Sequence, residues 1–337
     1  MSETGVGHLR PGQPNTEHPT PTSQKRQHPH HQHGRQNNAN THKMDLSILL
    51  TQKAPEITAT ACLVAFAILK NKLTPAGILA GIISATIHML HPWRAFFWLL
   101  IAFFITGTIV TKIGHTAKSH LTQSSTGGHG GEGPRTAIQV FANSGWASFL
   151  ILTHAYFLLP NTILPIGIIA QYAAVAADTF ASELGILSKN ATFLITAPWK
   201  KVPKGTNGGV TIDGLKYSVL GSGMLTLVAA VVLWIAEPKV VMDAKVSALL
   251  VIAGLAGSVI DSLLGALLQV TVTDKGTGKV VEGAGGQRVK VLPDGSRMQV
   301  GRDLLTNNGV NFVMASSASI LAMGAAYLLD LHLQTSR

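Results

Sequence analysis

Two of the longest apolar stretches in this chain each carry an aspartate near the middle, Asp178 within residues 162–187 and Asp261 within residues 245–270. About 20 apolar residues suffice for a helix to cross a bilayer. A carboxylate inside such a helix is costly, so it is found where it pairs, lines a cavity or does chemistry. Whatever fold this chain adopts has to accommodate both acids.

Apolar segments recur at 54–70, 74–90, 94–111, 136–159, 162–187, 215–236, 245–270 and 310–331. They predict an all-α fold class, a polytopic integral membrane protein of about eight transmembrane helices. Composition agrees, because 46% of the residues are hydrophobic and only 12% charged, unlike a soluble domain of this length. Breakers fall between neighbouring spans at Lys70 to Pro75, His91-Pro92, Pro160-Asn161 and Glu237-Pro238. Residues 1–43 are rich in Pro, Gln, Asn, Thr and His. They lack the apolar side chains that would offset the entropy of folding, so a disordered head is expected ahead of a membrane domain at 44–337. The run HPHHQHGR, His28 to Arg35, can bind a transition metal, but a low-complexity polar tail is the simpler reading. No signal peptide is expected, since the first apolar run begins near Leu46. One cysteine, Cys62, excludes a disulfide framework or a cysteine zinc site.

The long connections at 112–135, 188–214 and 271–309 follow the third, fifth and seventh spans, so eight spans put all three on one face. That face holds most of the chain's 26 lysines and arginines, which makes it cytoplasmic and puts the head on the opposite side. The net charge of +10 suits anionic lipid head groups or phosphorylated substrates. No basic stripe is interleaved with aromatics, so nucleic acid is not an expected partner. We expect a multi-pass protein of an endomembrane such as the endoplasmic reticulum, with membrane lipid as its neighbour.

Polar residues within the spans gather toward the loop face. Asp178 and Asp261 are expected at matching depth, roughly 15 Å below it at the rise of a regular helix. Glu183 is nearer the surface and about 140° around the helix from Asp178, so both reach one ion only if the helix is distorted. Gln139 and Asn143 begin the fourth span, and Asn307, Asn308 and Asn311 begin the eighth. The opposite half of the body is expected to be comparatively bare of polar groups. Carboxylates and amides beneath basic, glycine-rich loops suit Mg²⁺ holding phosphates, since that ion takes one or two carboxylates plus phosphate oxygens. The segment from Lys200 to Thr211 supplies Lys201 and Lys204 as point charges, Thr206 as a donor, and Gly205, Gly208 and Gly209 for close backbone approach to an anion. Its spacing is not that of a Walker loop. Other readings stay open: interhelical hydrogen bonds for the aspartates and asparagines, and ordinary interfacial anchoring for the lysines. The histidines at 88, 91, 115, 120 and 154 lack metal-ligand spacing, which favours packed or interfacial roles.

The acid-bearing spans also resemble one another. AVAADTFAS, from Ala174, aligns with GSVIDSLLG, from Gly257, and each span leads into a glycine-rich loop. A parallel internal repeat would bring the two aspartates to one interface.

The segments QVFANSG (139–145), ADTFASELG (177–185), VPKGTNGGV (202–210), GSVIDSLLG (257–265) and NNGVNF (307–312), taken together and in order, resemble the transmembrane protein 19 family over roughly residues 45–335. That family includes the plant phytyl-phosphate kinases. The motif of a membrane aspartate followed by a lysine- and glycine-rich loop is also similar to that of CTP-using dolichol and phytol kinases and of phosphatidate cytidylyltransferases. The resemblance implies phosphoryl transfer from a nucleoside triphosphate, with CTP favoured, to a prenyl or other lipid monophosphate. Asp178 and Asp261 would then hold Mg²⁺, with Glu183 as a further catalytic acid. Lys201, Lys204, Gly205, Thr206, Gly208, Gly209, Asn143, Asn308 and Asn311 would bind substrate and phosphate. The insertion from Thr273 to Met298 and the histidine-rich head have no counterpart in this resemblance. A secondary transporter with membrane-embedded carboxylates, or a family member without catalytic activity, are the alternatives. Oligomeric state is not legible.

Overall fold

The computed structural model describes residues 50–125, 133–159, 161–290 and 293–335. The N-terminal head and the tip of the 112–135 loop lie outside these residues.

Helix α1 (Ala54–Leu69) starts with a proline in its first turn and stops before Asn71, whose positive φ reverses the chain. Thr74 then caps α2 (Pro75–Leu90), its hydroxyl accepting from Gly77 N at 3.1 Å. After His91 and Pro92 comes α3 (Ala95–Lys112), followed by a short helix, α4 (His115–Ser119). Thr136 and Gln139 cap each other reciprocally at the start of α5 (Ala137–Thr153), which widens into a π-helical turn at His154–Leu158. The remaining long helices are α6 (Ile163–Gly185), α7 (Ile212–Ala236), α8 (Ala244–Leu268) and α9 (Asn307–Leu328). Thr211, Asp243 and Thr306 cap the last three in the same way as Thr74 caps α2.

By length and composition α3, α6, α7, α8 and α9 can each cross a membrane, while α1 and α2 are shorter apolar helices. The chain is thus an all-α, multi-pass integral membrane protein. Outward surfaces are greasy as lipid demands, with Leu79, Ile109, Phe149, Leu227, Trp234 and Leu321 all exposed.

Helix α6 is the axis of the bundle. Its residues from Pro165 to Ala177 are all buried, and α3, α5, α7, α8 and α9 pack around it. Lipid tails are as apolar as the helices, so association relies on close packing, and small residues provide it. A Cβ on Gly221 would strike the Ala176 carbonyl at 2.6 Å, one on Gly257 the Ala174 side chain at 2.6 Å, and one on Gly167 the sulfur of Met323 at 2.6 Å.

The long connections meet at one end of the bundle and carry small sheets. Among its described residues the first connection contributes β1 (Gln123–Ser124). The second folds β2 (Phe193–Leu194), β3 (Ala197–Lys201) and β4 (Gly209–Val210) into an antiparallel sheet in the order β3-β2-β4. At the far end of the bundle β5 (Val240–Val241) leads into α8. The third long connection pairs β6 (Thr271–Asp274) with β8 (Arg297–Val300), and its β7 (Val281–Glu282) pairs parallel with β1. β9 (Gln334–Thr335) closes on β5.

The end bearing β5 corrects one expectation, because it is far from bare of polar groups. Glu56 is fully buried and receives Arg94 Nε at 2.5 Å and Nη2 at 2.9 Å. Glu237 accepts from Arg94 N at 3.0 Å, and Lys53 donates to the His91 carbonyl at 3.2 Å. Trp93 N donates to His91 Nδ1, so His91 Nε2 carries the proton it gives to His154 Nδ1 at 2.9 Å; His154 Nε2 in turn donates to the Asn161 carbonyl at 2.8 Å. These groups are far apart in sequence, and only the packing of helix ends brings them together.

Candidate functional site

Helices α6 and α8 run in the same direction, and Ala174 touches Gly257 where they cross. One turn further along each helix are Asp178 and Asp261, close enough for their charges to act on each other. The two sequences thus superpose in space in the register that aligns them in sequence. Each acid lies seven positions before its helix ends, at Gly185 and Leu268. That places both about 10 Å below the loops, at matching depth but shallower than the sequence suggested, because both helices end sooner. Both residues are half-buried, and Asp261 Oδ2 is shut from solvent with no hydrogen-bond partner. A buried oxygen of this kind is expensive to leave unsatisfied.

Above the acids lies a cavity of about 600 Å³, lined by Asp178, Asp261, Glu183, Asn143, Asn308, Asn311, Lys204, Gly205, Thr206, Gly208 and Gly209. The loop from Val202 to Val210 roofs it. Gly205 and Gly208 take positive φ values of 83° and 74°, and any side chain on Gly208 would collide with Ala266 of α8. Asn207 pins the loop to the exit of α8, donating from its side chain to the Val270 carbonyl at 2.8 Å and from its backbone to Thr271 Oγ1 at 3.1 Å. Lys204 caps the end of α6, with Nζ 2.9 Å from the Ile186 carbonyl and 2.5 Å from that of Ser188. The loop is therefore a strap between the ends of the two acid-bearing helices. Its glycines are needed for that approach, whatever they bind.

Other expected residues separate by position. Lys201 closes β3 and is exposed, and it does not line the cavity. It pairs across the sheet with Phe193, at the residue that leads into the strap. Glu183 lines the cavity but is engaged by an ion pair with Lys118 of α4, whose ammonium also donates to the Thr111 carbonyl at 2.7 Å. It thereby ties α6 to the end of α3. The Thr206 hydroxyl turns back to the Pro203 carbonyl at 2.7 Å, and Asn308 donates to the Gly285 carbonyl at 3.0 Å. The side chains of Asn143 and Asn311 make no hydrogen bond among the described residues. Lys118, Arg135 and Gln269 also line the cavity and carry no motif that singles them out; Asn207 lines it too, within the 202–210 segment but outside the residues expected to bind. The only sequence signal for the first two is their place in a long basic connection.

Among the described residues, no three His, Cys, Asp or Glu side chains converge to hold a metal. The donor set is two carboxylates with amide oxygens nearby. That set fits a hard divalent cation that completes its shell with phosphate oxygens and water, and the unsatisfied Asp261 oxygen is the group such an ion would use.

The family described as integral membrane protein DUF92 matches residues 58–319. The chain belongs to this family. It is similar to Protein PGR of Arabidopsis thaliana, 37% identical over 277 residues, covering 77% of this chain and 91% of that one. An uncharacterised membrane protein of Methanocaldococcus jannaschii is 34% identical over 209 residues, covering 62% and 80%. Protein VTE6, chloroplastic, of Arabidopsis thaliana is 27% identical over 206 residues, covering 60% and 58%. No solved structure matches. The DUF92 match takes in every residue from Asn143 to Asn311 discussed above, so the acids, the strap and the amides all lie within the family's own region.

Proposed function

We propose that this DUF92 protein transfers a phosphoryl group from a nucleoside triphosphate, CTP in the first instance, to a prenyl or other lipid monophosphate at the cytosolic face of an endomembrane such as the endoplasmic reticulum. The observation that carries this reading is the pair of half-buried carboxylates, Asp178 and Asp261, set at one depth beneath a Lys- and Gly-rich strap in a cavity of about 600 Å³. Similarity to relatives that include a chloroplastic VTE6 protein and the resemblance to prenyl-phosphate kinases favour the same chemistry.

In this reading an oxygen of the acceptor monophosphate attacks the γ-phosphorus. The bond from that phosphorus to its bridging oxygen breaks, and the nucleoside diphosphate leaves. The acceptor is already an anion, so the protein has to align two anions and neutralise their charge rather than remove a proton. Asp178 and Asp261 would hold Mg²⁺, which when bound supplies the positive charge shared between phosphates. Lys204 has one N–H beyond the two it gives to carbonyls. The strap's backbone N–H groups, Asn143 and Asn311 would orient phosphate oxygens. Purified protein in lipid nanodiscs, given labelled CTP, ATP, GTP or UTP with a panel of prenyl monophosphates, is expected to form prenyl diphosphates. No transfer in any combination would overturn the reading.

A second reading, secondary transport, is favoured by a line of buried polar groups between the two ends of the bundle. Tyr172 donates to His88 Nε2 at 2.6 Å, His88 Nδ1 donates to the Ser84 carbonyl at 2.7 Å, Ser84 meets Ser144 at 3.0 Å, and Gln171 donates to the Asn143 carbonyl at 2.9 Å. Embedded polar groups of this kind can mark an ion path. Proton-coupled flux in liposomes without phosphoryl transfer would replace the first reading by this one.

A further inference from the structure

Arg135 is set into the protein with more care than a surface loop residue requires. Its backbone is zipped to the turn between α1 and α2, Thr74 N donating to its carbonyl and its own N–H to the Lys72 carbonyl, both at 3.0 Å. Any side chain on Gly77 would collide with that carbonyl, so the first turn of α2 is built around it. The guanidinium lies over Gly107 of α3, where an added Cβ would sit 3.4 Å from Nη2 and 3.9 Å from the methyl of Thr179. Gly107 is five positions from the end of α3, about 7 to 8 Å below the loops. The cation is thus held close to the depth of Asp178, beside the residue that follows it.

The guanidinium has no ion pair or hydrogen bond among the described residues. A half-buried cation without a partner costs free energy unless an anion is supplied. Arg135 lines two cavities at once. One is the large cavity with the carboxylates; the other, about 130 Å³, lies toward the edge of the bundle and is lined by Asn71, Lys72, Phe104, Thr108 and Thr111. Among the described residues, Lys72 is half-buried there without a partner, and no carboxylate lines this cleft. The hydroxyls of Thr108 and Thr111 give their protons to the Phe104 and Gly107 carbonyls, so the side-chain donors left among the described residues are the two cations and Asn71. The outer face of α3 beside it, Ile105 and Ile109, is exposed as lipid-facing surface.

We infer that the cleft between Lys72 and Arg135 is the seat of the acceptor's phosphate, a lipid monophosphate that arrives from the bilayer beside α3 while the nucleotide occupies the large cavity. Arg135 binds it through two parallel N–H donors and presents it to the centre beside Asp178. This inference rests on the phosphoryl-transfer reading for its reaction, but binding of the lipid phosphate does not depend on turnover.

The experiment measures binding and kinetics on the full chain in nanodiscs, with farnesyl monophosphate, farnesol and inorganic phosphate as probes. Arg135→Ala is expected to weaken farnesyl monophosphate binding, and to raise its KM, by ~10- to 100-fold, the range for one charge-assisted bidentate contact. The nucleotide KM should stay within ~3-fold. Arg135→Lys should recover part of the loss, and Lys72→Ala should show a smaller loss in the same parameter, which keeps the test open if Arg135→Ala does not fold. Binding of farnesyl monophosphate that needs Arg135, in a protein with no transferase activity, would sustain this site and overturn the kinase reading. Transfer activity with lipid binding and lipid KM unchanged in both the Arg135 and Lys72 variants would overturn the site and leave that reading standing. Equal, Arg135-dependent binding of inorganic phosphate and farnesyl monophosphate would overturn the lipid assignment, and farnesol binding as tightly would show that the phosphate is not what is recognised.

Discussion

At one end of the bundle Glu56 is fully buried with both carboxylate oxygens engaged by Arg94, and His91 and His154 form a chain whose every proton is assigned. At the other end Asp261 Oδ2 has no hydrogen-bond partner, and Arg135, Asn143 and Asn311 have none for their side chains among the described residues. Both ends take charged groups at least partly out of water. One is saturated by its own side chains, and the other holds unspent donors and acceptors around a cavity. Saturated polarity fixes helix ends; unspent polarity costs stability and needs a ligand to justify it.

Stability should separate the two ends first. Arg94→Ala strips the buried Glu56 of its partner and is expected to cost ~3–5 kcal/mol, read as a lower melting temperature in detergent. Asp261→Asn removes an unsatisfied carboxylate and should leave the melting temperature unchanged or raised. Equal destabilisation by the two variants would erase the distinction.

Acid should attack the saturated end. Burial, with His154 beside it, holds His91 down to about 3, from an ordinary 6.5. Above pH 6.5 the group is neutral whether the chain is folded or not and contributes nothing. As pH falls from 6.5 toward 3 the unfolded chain takes up a proton that the folded one refuses, so stability is lost at up to about 1.4 kcal/mol per pH unit. Melting curves between pH 7.5 and 5 should show this slope, and His91→Gln should flatten it. An unchanged slope in that variant would show that the histidine chain is not the acid-sensitive element.

The two lysines of the strap region give the smallest contrast. Lys204→Ala removes two hydrogen bonds to the end of α6 and should cost ~1 kcal/mol, with a severalfold rise in nucleotide KM. Lys201→Ala, exposed and outside the cavity, should change either quantity by less than about 2-fold, in line with an isolated surface charge. A larger kinetic effect from Lys201 would mean that the hairpin bearing it folds over the cavity when nucleotide binds.

The membrane body was legible because apolar length has one physical meaning, and the eight apolar segments reappear as helices with ends shifted by a few residues. The acid pair was legible for the same reason: a carboxylate in such a helix has few excuses, and the Ala174 and Gly257 alignment carried the register. The saturated end was not, since Glu56, Arg94 and Glu237 lie 38 and 143 positions apart and no local pattern links them. Nor were the small loop sheets, whose strands run only two to five residues and, in the β1–β7 and β6–β8 pairs, join across long stretches of chain. Glu183 shows how far helical geometry reaches. Its 140° offset from Asp178 warned against a shared ion, but its engagement by Lys118 required the fold of a loop. Lys201 and Lys204 look equivalent in sequence, and only the path of the strap tells them apart.

The central claim, that the unsaturated end is a phosphoryl-transfer site, is tested most directly by diphosphate formation in nanodiscs from labelled nucleotide and prenyl monophosphate. Asp178→Asn and Asp261→Asn should be compared with His91→Gln at the other end. The expected result is a loss of at least ~100-fold in turnover for each aspartate variant, the scale of losing one charge-stabilising group from a reaction centre, with folded protein retained and His91→Gln near wild type at pH 7.5. Near-normal Mg²⁺-dependent turnover in both aspartate variants would contradict the claim.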